Sequence, residues 1–114
     1  MRFFPLYLLL GFIINIQDAN ATHRYTTEDT RVVNGILYDV NGDPVTGIFE
    51  TFYENNFKKS ELTYVDGILN GVGAFYNPKG YKDTDLPFVN GKEEGIALTY
   101  YPNGNLKEKT PFKY

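Results

Sequence analysis

The side chains with the clearest metal-binding pattern are Asp39, Asn41 and Asp43, followed by Glu50 eleven residues after Asp39. This spacing imitates an EF-hand calcium loop, in which alternating oxygen ligands are closed by a glutamate. The sixth position of such a loop must be glycine because the chain turns sharply there, but this sequence has Pro44. The residues therefore favour an Asx-rich turn, and no metal site is predicted.

Two carboxylate pairs have a spacing that acid–base catalysis would use, namely Asp83 with Asp85 and Glu93 with Glu94. Alternate residues of a strand share a face, so the first pair could meet across a substrate. Both pairs, however, lie in turn-rich stretches with no sign of a pocket. We interpret them as solvated surface charges and predict no catalytic residue.

This chain has few side chains that could act as catalytic nucleophiles. There is no cysteine, His23 is the single histidine, and Ser60 therefore lacks a second histidine to activate it. Missing cysteines also exclude disulfides, thiolate zinc sites and Fe–S clusters. The net charge of −3 argues against nucleic acid as a partner, since phosphate binding needs a concentrated basic surface. We predict a protein that is not an enzyme and has no cofactor.

The N-terminal segment 1–21 predicts a secretory signal peptide. Arg2 supplies a positive charge, an apolar stretch runs from Phe3 to Ile16, and Ala19-Asn20-Ala21 is a small-x-small cleavage pattern. The apolar stretch is shorter than the ~18–20 residues that a membrane span needs. We expect cleavage near Ala21 and export to a bacterial periplasm or exterior, because a small eukaryotic secreted domain would usually carry disulfides. Residues 22–30 are polar and predict a loose leader.

The rest of the chain, residues 31–114, is an internal repeat. Gly47, Gly71 and Gly95 are each 24 residues apart, and so are Val65-Asp66-Gly67 and Val89-Asn90-Gly91. The predicted units are an atypical capping unit and three repeats, at about 31–46, 47–70, 71–94 and 95–114.

Each repeat predicts a β-hairpin. Runs rich in aromatic and β-branched residues are separated by polar turns, and Asp-Gly or Asn-Gly leads into the next unit. The fold class is therefore all-β, with six or seven antiparallel strands in a meander. The aromatic pairs are 23 and then 25 residues apart, so the middle unit is one residue short and a bulge is expected near Gly71 or Gly73. Pro87 and Pro111 should face an edge or a bulge because they donate no hydrogen bond.

Three motifs carry a resemblance to a known family. They are Ile36-Leu37-Tyr38-Asp39 with the following Asn41-Gly42 and Pro44 to Gly47, the hairpin YYPNGNLK from Tyr100 to Lys107, and the junction NGKEEG from Asn90 to Gly95. From about residue 34 onward the chain resembles the variant MORN-repeat family of small bacterial proteins labelled as antitoxins of toxin–antitoxin systems. It departs from the pattern at Asn55-Asn56, where Asn-Gly is expected. The resemblance implies stacked hairpins in an elongated twisted sheet that binds another molecule.

The aromatic side chains are the best candidates for contacting that molecule. Packing takes most of them, but a single-layer sheet cannot bury both faces, so some tyrosines should form an exposed recognition stripe. The candidate partner-binding residues are Tyr53, Tyr76, Tyr100 and Tyr101. In the final strand, Lys107, Lys109 and Lys113 are expected to guard an open edge, through which a homodimer is an alternative.

The sequence thus predicts an exported, non-enzymatic module that binds a protein, with an antitoxin or immunity role as its most specific form. The alternative is a cell-envelope-associated binder of glycan or lipid headgroups, which includes peripheral membrane association. Glycan-binding aromatic repeats rely on tryptophan, which this chain lacks, and a net charge of −3 disfavours anionic lipid.

Overall fold

The computed structural model describes residues 22–113, and the regular secondary structure of this part is β-strand apart from one 3-10 turn at Thr27–Asp29. The predicted signal peptide and its cleavage site lie outside the described residues. The strands are β1 (Arg24–Tyr25), β2 (Thr30–Val33), β3 (Ile36–Asp39), β4 (Gly47–Phe52), β5 (Lys58–Val65), β6 (Ile68–Leu69), β7 (Gly71–Tyr76), β8 (Lys82–Val89), β9 (Lys92–Glu93), β10 (Gly95–Tyr100) and β11 (Leu106–Phe112). No helix in this part has the length and apolar character needed to cross a membrane.

Three long antiparallel hairpins form the body of the sheet, which confirms the all-β meander. They are β4–β5, β7–β8 and β10–β11, and they lie side by side in chain order. The turns that lead into β3, β6 and β9 are Asn-Gly or Asp-Gly with positive φ at both residues, for example 51° at Asp66 and 81° at Gly67. These values are those of type I′ turns, which match the twist of the strands that they join.

The repeat is regular, so the predicted one-residue shortfall in the middle unit is wrong. Phe52, Tyr76 and Tyr100 end the first strands of the three hairpins and are 24 residues apart. The sequence had instead aligned Phe75-Tyr76 with Tyr100-Tyr101, because both are aromatic pairs. A bulge does occur, but once in every hairpin, opposite the last residue of the first strand rather than near Gly71 or Gly73.

Both prolines lie where the ladder does not need a donor, but only Pro111 lies at an edge as predicted. Pro111 is in β11, the last strand of the sheet. Pro87 lies in β8 between two short ladders: Asp85 pairs with Leu98 of β10, and Phe88 pairs with Glu93 of β9. Its carbonyl oxygen accepts a hydrogen bond from the Glu94 amide at 3.1 Å.

A two-stranded sheet of β2 and β3 covers the N-terminal end of the repeats. Val45 is fully buried there. Two backbone hydrogen bonds join this cap to the first repeat turn: the Leu37 amide donates to the Gly67 carbonyl at 3.0 Å, and the Gly67 amide donates to the Val45 carbonyl at 2.7 Å. A third bond lies within the cap, where the Val45 amide donates to the Leu37 carbonyl at 2.9 Å. Because each group is paired, the cap can be buried without leaving backbone donors unsatisfied.

Residues 22–30, for which the sequence predicted a loose leader, instead take part in the sheet. β1 pairs in parallel with the outer edge of β4, and the Ile48 amide donates to the His23 carbonyl at 2.9 Å. A Cβ atom at Gly47 would lie 2.5 Å from that carbonyl oxygen. Glycine at this repeat position is therefore what allows the leader to approach β4.

The two faces of the sheet differ in burial. We call the face that carries Phe49, Gly73 and Ala97 the packed face, because Ser60, Gly73 and Ala97 are buried on it. The opposite face carries Glu50, Ala74 and Leu98, and we call it the open face. Large apolar side chains are exposed on the open face, so function is best sought there.

Candidate binding surface

The open face consists of three rows of side chains that run across the strands, as the register places them. The row at the hairpin turns contains Phe52, Lys58, Tyr76, Lys82, Tyr100 and Leu106. The middle row contains Glu50, Glu61, Ala74, Asp85, Leu98 and Lys109. The row at the opposite end contains Ile48, Thr63, Val72, Pro87, Ile96 and Pro111.

A four-membered ion network occupies the first hairpin of the open face. Arg24 of β1 lies 2.6 Å from a carboxylate oxygen of both Glu50 and Glu61, and Lys58 lies 2.8 Å and 2.9 Å from the same two oxygens. Hydrogen bonds from Lys58 and then Arg24 lower the pKa of Glu61. Burial opposes the charge on Lys58, but its bonds to the two glutamates outweigh this and raise its pKa. The network fastens β1 to the sheet.

The second hairpin repeats part of this arrangement. Lys82 lies 3.1 Å from Asp85 and forms an ion pair equivalent to that of Lys58 with Glu61. Asp85 also accepts a 2.5 Å hydrogen bond from the Tyr100 hydroxyl. That bond raises the pKa of Tyr100, since it favours the protonated phenol. In the third hairpin the same two positions hold Leu106 and Lys109, so the Lys–carboxylate pair is lost toward the far edge.

An exposed apolar stripe lies at the opposite end of the open face. Val72 is 59% exposed and Ile96 is 57% exposed, and they occupy equivalent positions one repeat apart. Their cross-strand partners are Pro87 and Pro111. Four neighbouring apolar residues thus form a continuous row that water contacts. Aligned exposed apolar residues of this kind are typical of an interaction surface.

The structure separates the four predicted tyrosines into different environments. Tyr76 and Tyr100 are half-buried in the turn row of the open face. Tyr53 follows β4, and its hydroxyl donates to the Tyr76 carbonyl at 2.7 Å, so it joins two hairpins. Tyr101 is 48% exposed beside the last hairpin turn. Together they line the turn end of the sheet rather than one stripe.

The bulged residue of each hairpin contacts the residue that begins the hairpin turn. The Lys59 ammonium lies 5.7 Å from the centre of the Tyr53 ring, and Lys107 lies 5.9 Å from that of Tyr101, which are cation–π distances. The equivalent pair in the middle hairpin is Asn77 and Asp83, which lie 3.5 Å apart. Sequence reasoning missed these pairs because the bulge is needed to align them.

Two shallow clefts lie between neighbouring hairpin turns, and we call them the turn clefts. The first, of about 430 Å³, is lined by Phe57, Lys58, Tyr76, Lys79 and Gly80. The second, of about 290 Å³, is lined by Tyr81, Lys82, Tyr100, Tyr101, Pro102 and Gly104. Three pairs of lining residues occupy equivalent positions one repeat apart, namely Phe57 and Tyr81, Lys58 and Lys82, and Tyr76 and Tyr100. Sequence analysis could not find these clefts, because each is built from two repeat units.

The acidic motifs behave as surface structure. Asp39 accepts hydrogen bonds from the amides of Asn41 at 2.9 Å and Asp43 at 3.0 Å, which is the predicted Asx turn. Asp85 is paired with Lys82 and Tyr100. Within residues 22–113, no group of three or more histidine, aspartate or glutamate side chains is placed to hold a metal ion.

Comparison with known proteins bears on the last hairpin. Residues 93–114 match a family model described as MORN repeat variant. The match supports the MORN-variant family. The matched segment begins in β9 and contains the whole β10–β11 hairpin. The two preceding hairpins share its spacing, its bulge and its turn hydrogen bonds. No curated protein and no solved structure matches the chain.

Proposed function

We propose that this MORN-variant protein is a non-enzymatic module that binds another protein through the open face of its sheet. The observation that carries the proposal is the exposed apolar stripe with Val72 and Ile96 at its centre. Burying these side chains against a partner would remove apolar surface from water, at about 25 cal/mol per Å². The MORN-repeat match supports a binding role for the hairpins.

Export belongs to the same proposal. The sequence of residues 1–21 supports a signal peptide, which would place the mature protein in the periplasm or outside the cell. A partner met there is a secreted or envelope protein. If that partner is toxic, the module would act as an antitoxin or immunity protein that neutralises it by covering its surface.

Affinity capture tests the proposal. The recombinant protein is immobilised beside two variants, Ile96→Asp on the stripe and Val40→Asp on the cap. Val40 is 71% exposed and lies outside the three repeats, so it is the matched control. We expect one stoichiometric protein from the envelope or medium fraction of the source cell, retained by the wild type and Val40→Asp and lost from Ile96→Asp.

The outcomes separate the proposal from its competitors. A partner that all three baits retain equally would refute the role of the stripe. Retention on cell-wall or membrane material, with no protein partner, would favour the envelope-binding alternative. Export is measured on its own, because the intact mass of the protein from the source cell shows whether residues 1–21 have been removed. Relief of the captured protein's toxicity by co-expression tests the immunity role.

A further inference from the structure

The geometry points to an acidic, proline-rich segment of the partner as the ligand of the two turn clefts, bound there as a polyproline II helix. The inference rests on the proposed function, because it names one part of a protein partner. It concerns the turn end of the open face, whereas the apolar stripe lies at the other end.

The spacing of the clefts supports this ligand. Equivalent positions of successive hairpins are two strands apart, and strands lie about 4.8 Å apart, so the clefts repeat at about 9.6 Å. A polyproline II helix has three residues per turn and rises about 3.1 Å per residue, which repeats each side of the helix at about 9.3 Å. Residues i and i+3 of such a segment would enter successive clefts without bending the chain.

The walls of the clefts suit proline rings. Each cleft has one aromatic side chain from a hairpin turn, Phe57 or Tyr81, and one tyrosine from the next hairpin, Tyr76 or Tyr100. A Cβ atom at Gly80 would lie 3.5 Å from the Phe57 ring, so bare backbone forms the floor beside that ring. Shallow aromatic grooves of this kind are how polyproline II segments are recognised.

The charges lining the clefts explain why the segment should be acidic. Lys58 and Lys79 line the first cleft and Lys82 lines the second, whereas no carboxylate is among the described lining residues. Lys58 and Lys82 are already paired with carboxylates of the open face, so the uncompensated charge is that of Lys79. Lys79 has no ion pair among residues 22–113. A carboxylate on the ligand would complement the Lys79 ammonium, and lysine N–H groups that the ion pairs leave unused can donate to the free carbonyls of a polyproline II backbone.

An acidic glycan is the competing ligand for aromatic clefts with lysines. Its hydroxyl groups need acceptors as well as donors, and side-chain carboxylates and amides are missing from the described linings. The tyrosine hydroxyls of the linings can accept, but the three lysine ammonium groups can only donate. The donor-rich linings therefore favour a peptide, whose proline residues have carbonyl acceptors and no amide donors.

Fluorescence anisotropy with the recombinant protein tests the inference. The probe is a labelled peptide of three Pro-Pro-Glu triplets, compared with Gly-Ser-Glu and Pro-Pro-Lys triplets of equal length. We expect the Pro-Pro-Glu peptide to bind at least about tenfold more tightly than either, because it alone combines pre-organisation with the right charge. Phe57→Ser and Tyr81→Ser should each weaken binding by about tenfold, whereas Val40→Ser should not change it.

Lys79→Glu is a second test that does not depend on an aromatic packing residue. Because Lys79 is exposed, this substitution should leave the fold intact. It should weaken the Pro-Pro-Glu peptide and strengthen the Pro-Pro-Lys peptide, while circular dichroism stays unchanged. Equal binding of the three peptides, no effect of the cleft substitutions, or displacement of the peptide by polygalacturonate would each overturn the inference. If the peptide fails while capture still yields an Ile96-dependent protein, the inference is wrong and the proposed function stands.

Discussion

Replacing Gly67 by Ala tests whether the cap and the repeats are held together as described. Gly67 has a φ of +81°, where an alanine costs about 1–2 kcal/mol because its Cβ approaches the carbonyl oxygen. A Cβ atom at this position would also lie 2.9 Å from the Leu37 carbonyl oxygen and on top of the Ile36 side chain. The side chain can rotate away, but the backbone oxygen cannot move without disturbing the cap hydrogen bonds.

The second contribution is that of an overpacked site, about 1–3 kcal/mol, so the free energy of unfolding should fall by about 2–5 kcal/mol in total. Gly91 is the matched control: it has a φ of +87° in the equivalent turn, and its nearest neighbour is a methyl carbon of Ile68 at 3.8 Å. Gly91→Ala should therefore cost only the backbone strain, about 1–2 kcal/mol.

Urea denaturation followed by far-ultraviolet circular dichroism measures both variants. Gly35→Ala serves as a second control, since nothing lies within 4 Å of a Cβ there although the φ is again +81°. A free-energy loss for Gly67→Ala that agrees with those of both controls within about 0.5 kcal/mol, the range of a neutral surface change, would refute the described packing of the cap.

Three further predictions follow from single contacts. Lys58 and Arg24 lower the pKa of Glu61, so the ion network stabilises the fold above the ordinary pKa of 4.5, and this stabilisation is lost as the pH falls through the lower pKa of the folded state. Denaturation curves of Glu61→Gln should therefore show a smaller loss of unfolding free energy between neutral and acid pH than those of the wild type. Tyr53→Phe should lower the free energy of unfolding by about 1 kcal/mol, whereas Tyr101→Phe should leave it unchanged in the same urea titration. Ser60→Ala should cost about 1–3 kcal/mol in thermal unfolding, because Thr51 loses its 2.6 Å hydroxyl partner, and the double variant with Thr51→Val should recover part of that loss.

The local part of the fold was predictable because short-range chemistry determines it. Asn-Gly and Asp-Gly adopt positive φ at both turn residues more readily than other pairs do, so the hairpins and their 24-residue period could be inferred from the sequence. The position of the bulge could not, because aromatic pairs recur at two different offsets and only the ladder shows which of them are equivalent.

The non-local part was missed for a physical reason. β1 is two residues long and shows no periodicity; it is held by Arg24, whose two carboxylate partners lie in β4 and β5. The candidate tyrosines were chosen as a stripe, but their hydroxyl partners give Tyr53 a structural role and place Tyr100 beside a lysine and an aspartate. Such roles depend on contacts between hairpins, which a single repeat does not encode.

The regular spacing of the hairpins has a mechanical consequence. Each hairpin bonds to its immediate neighbours, so a force applied along the row of hairpins is carried by all the junctions in series, and the weakest should separate first. The first hairpin is reinforced by the ion network and the buried cap, whereas the last strand presents exposed residues from Leu106 to Lys109. Strands should therefore detach first at β11 and then successively toward the cap, in steps that need unequal forces.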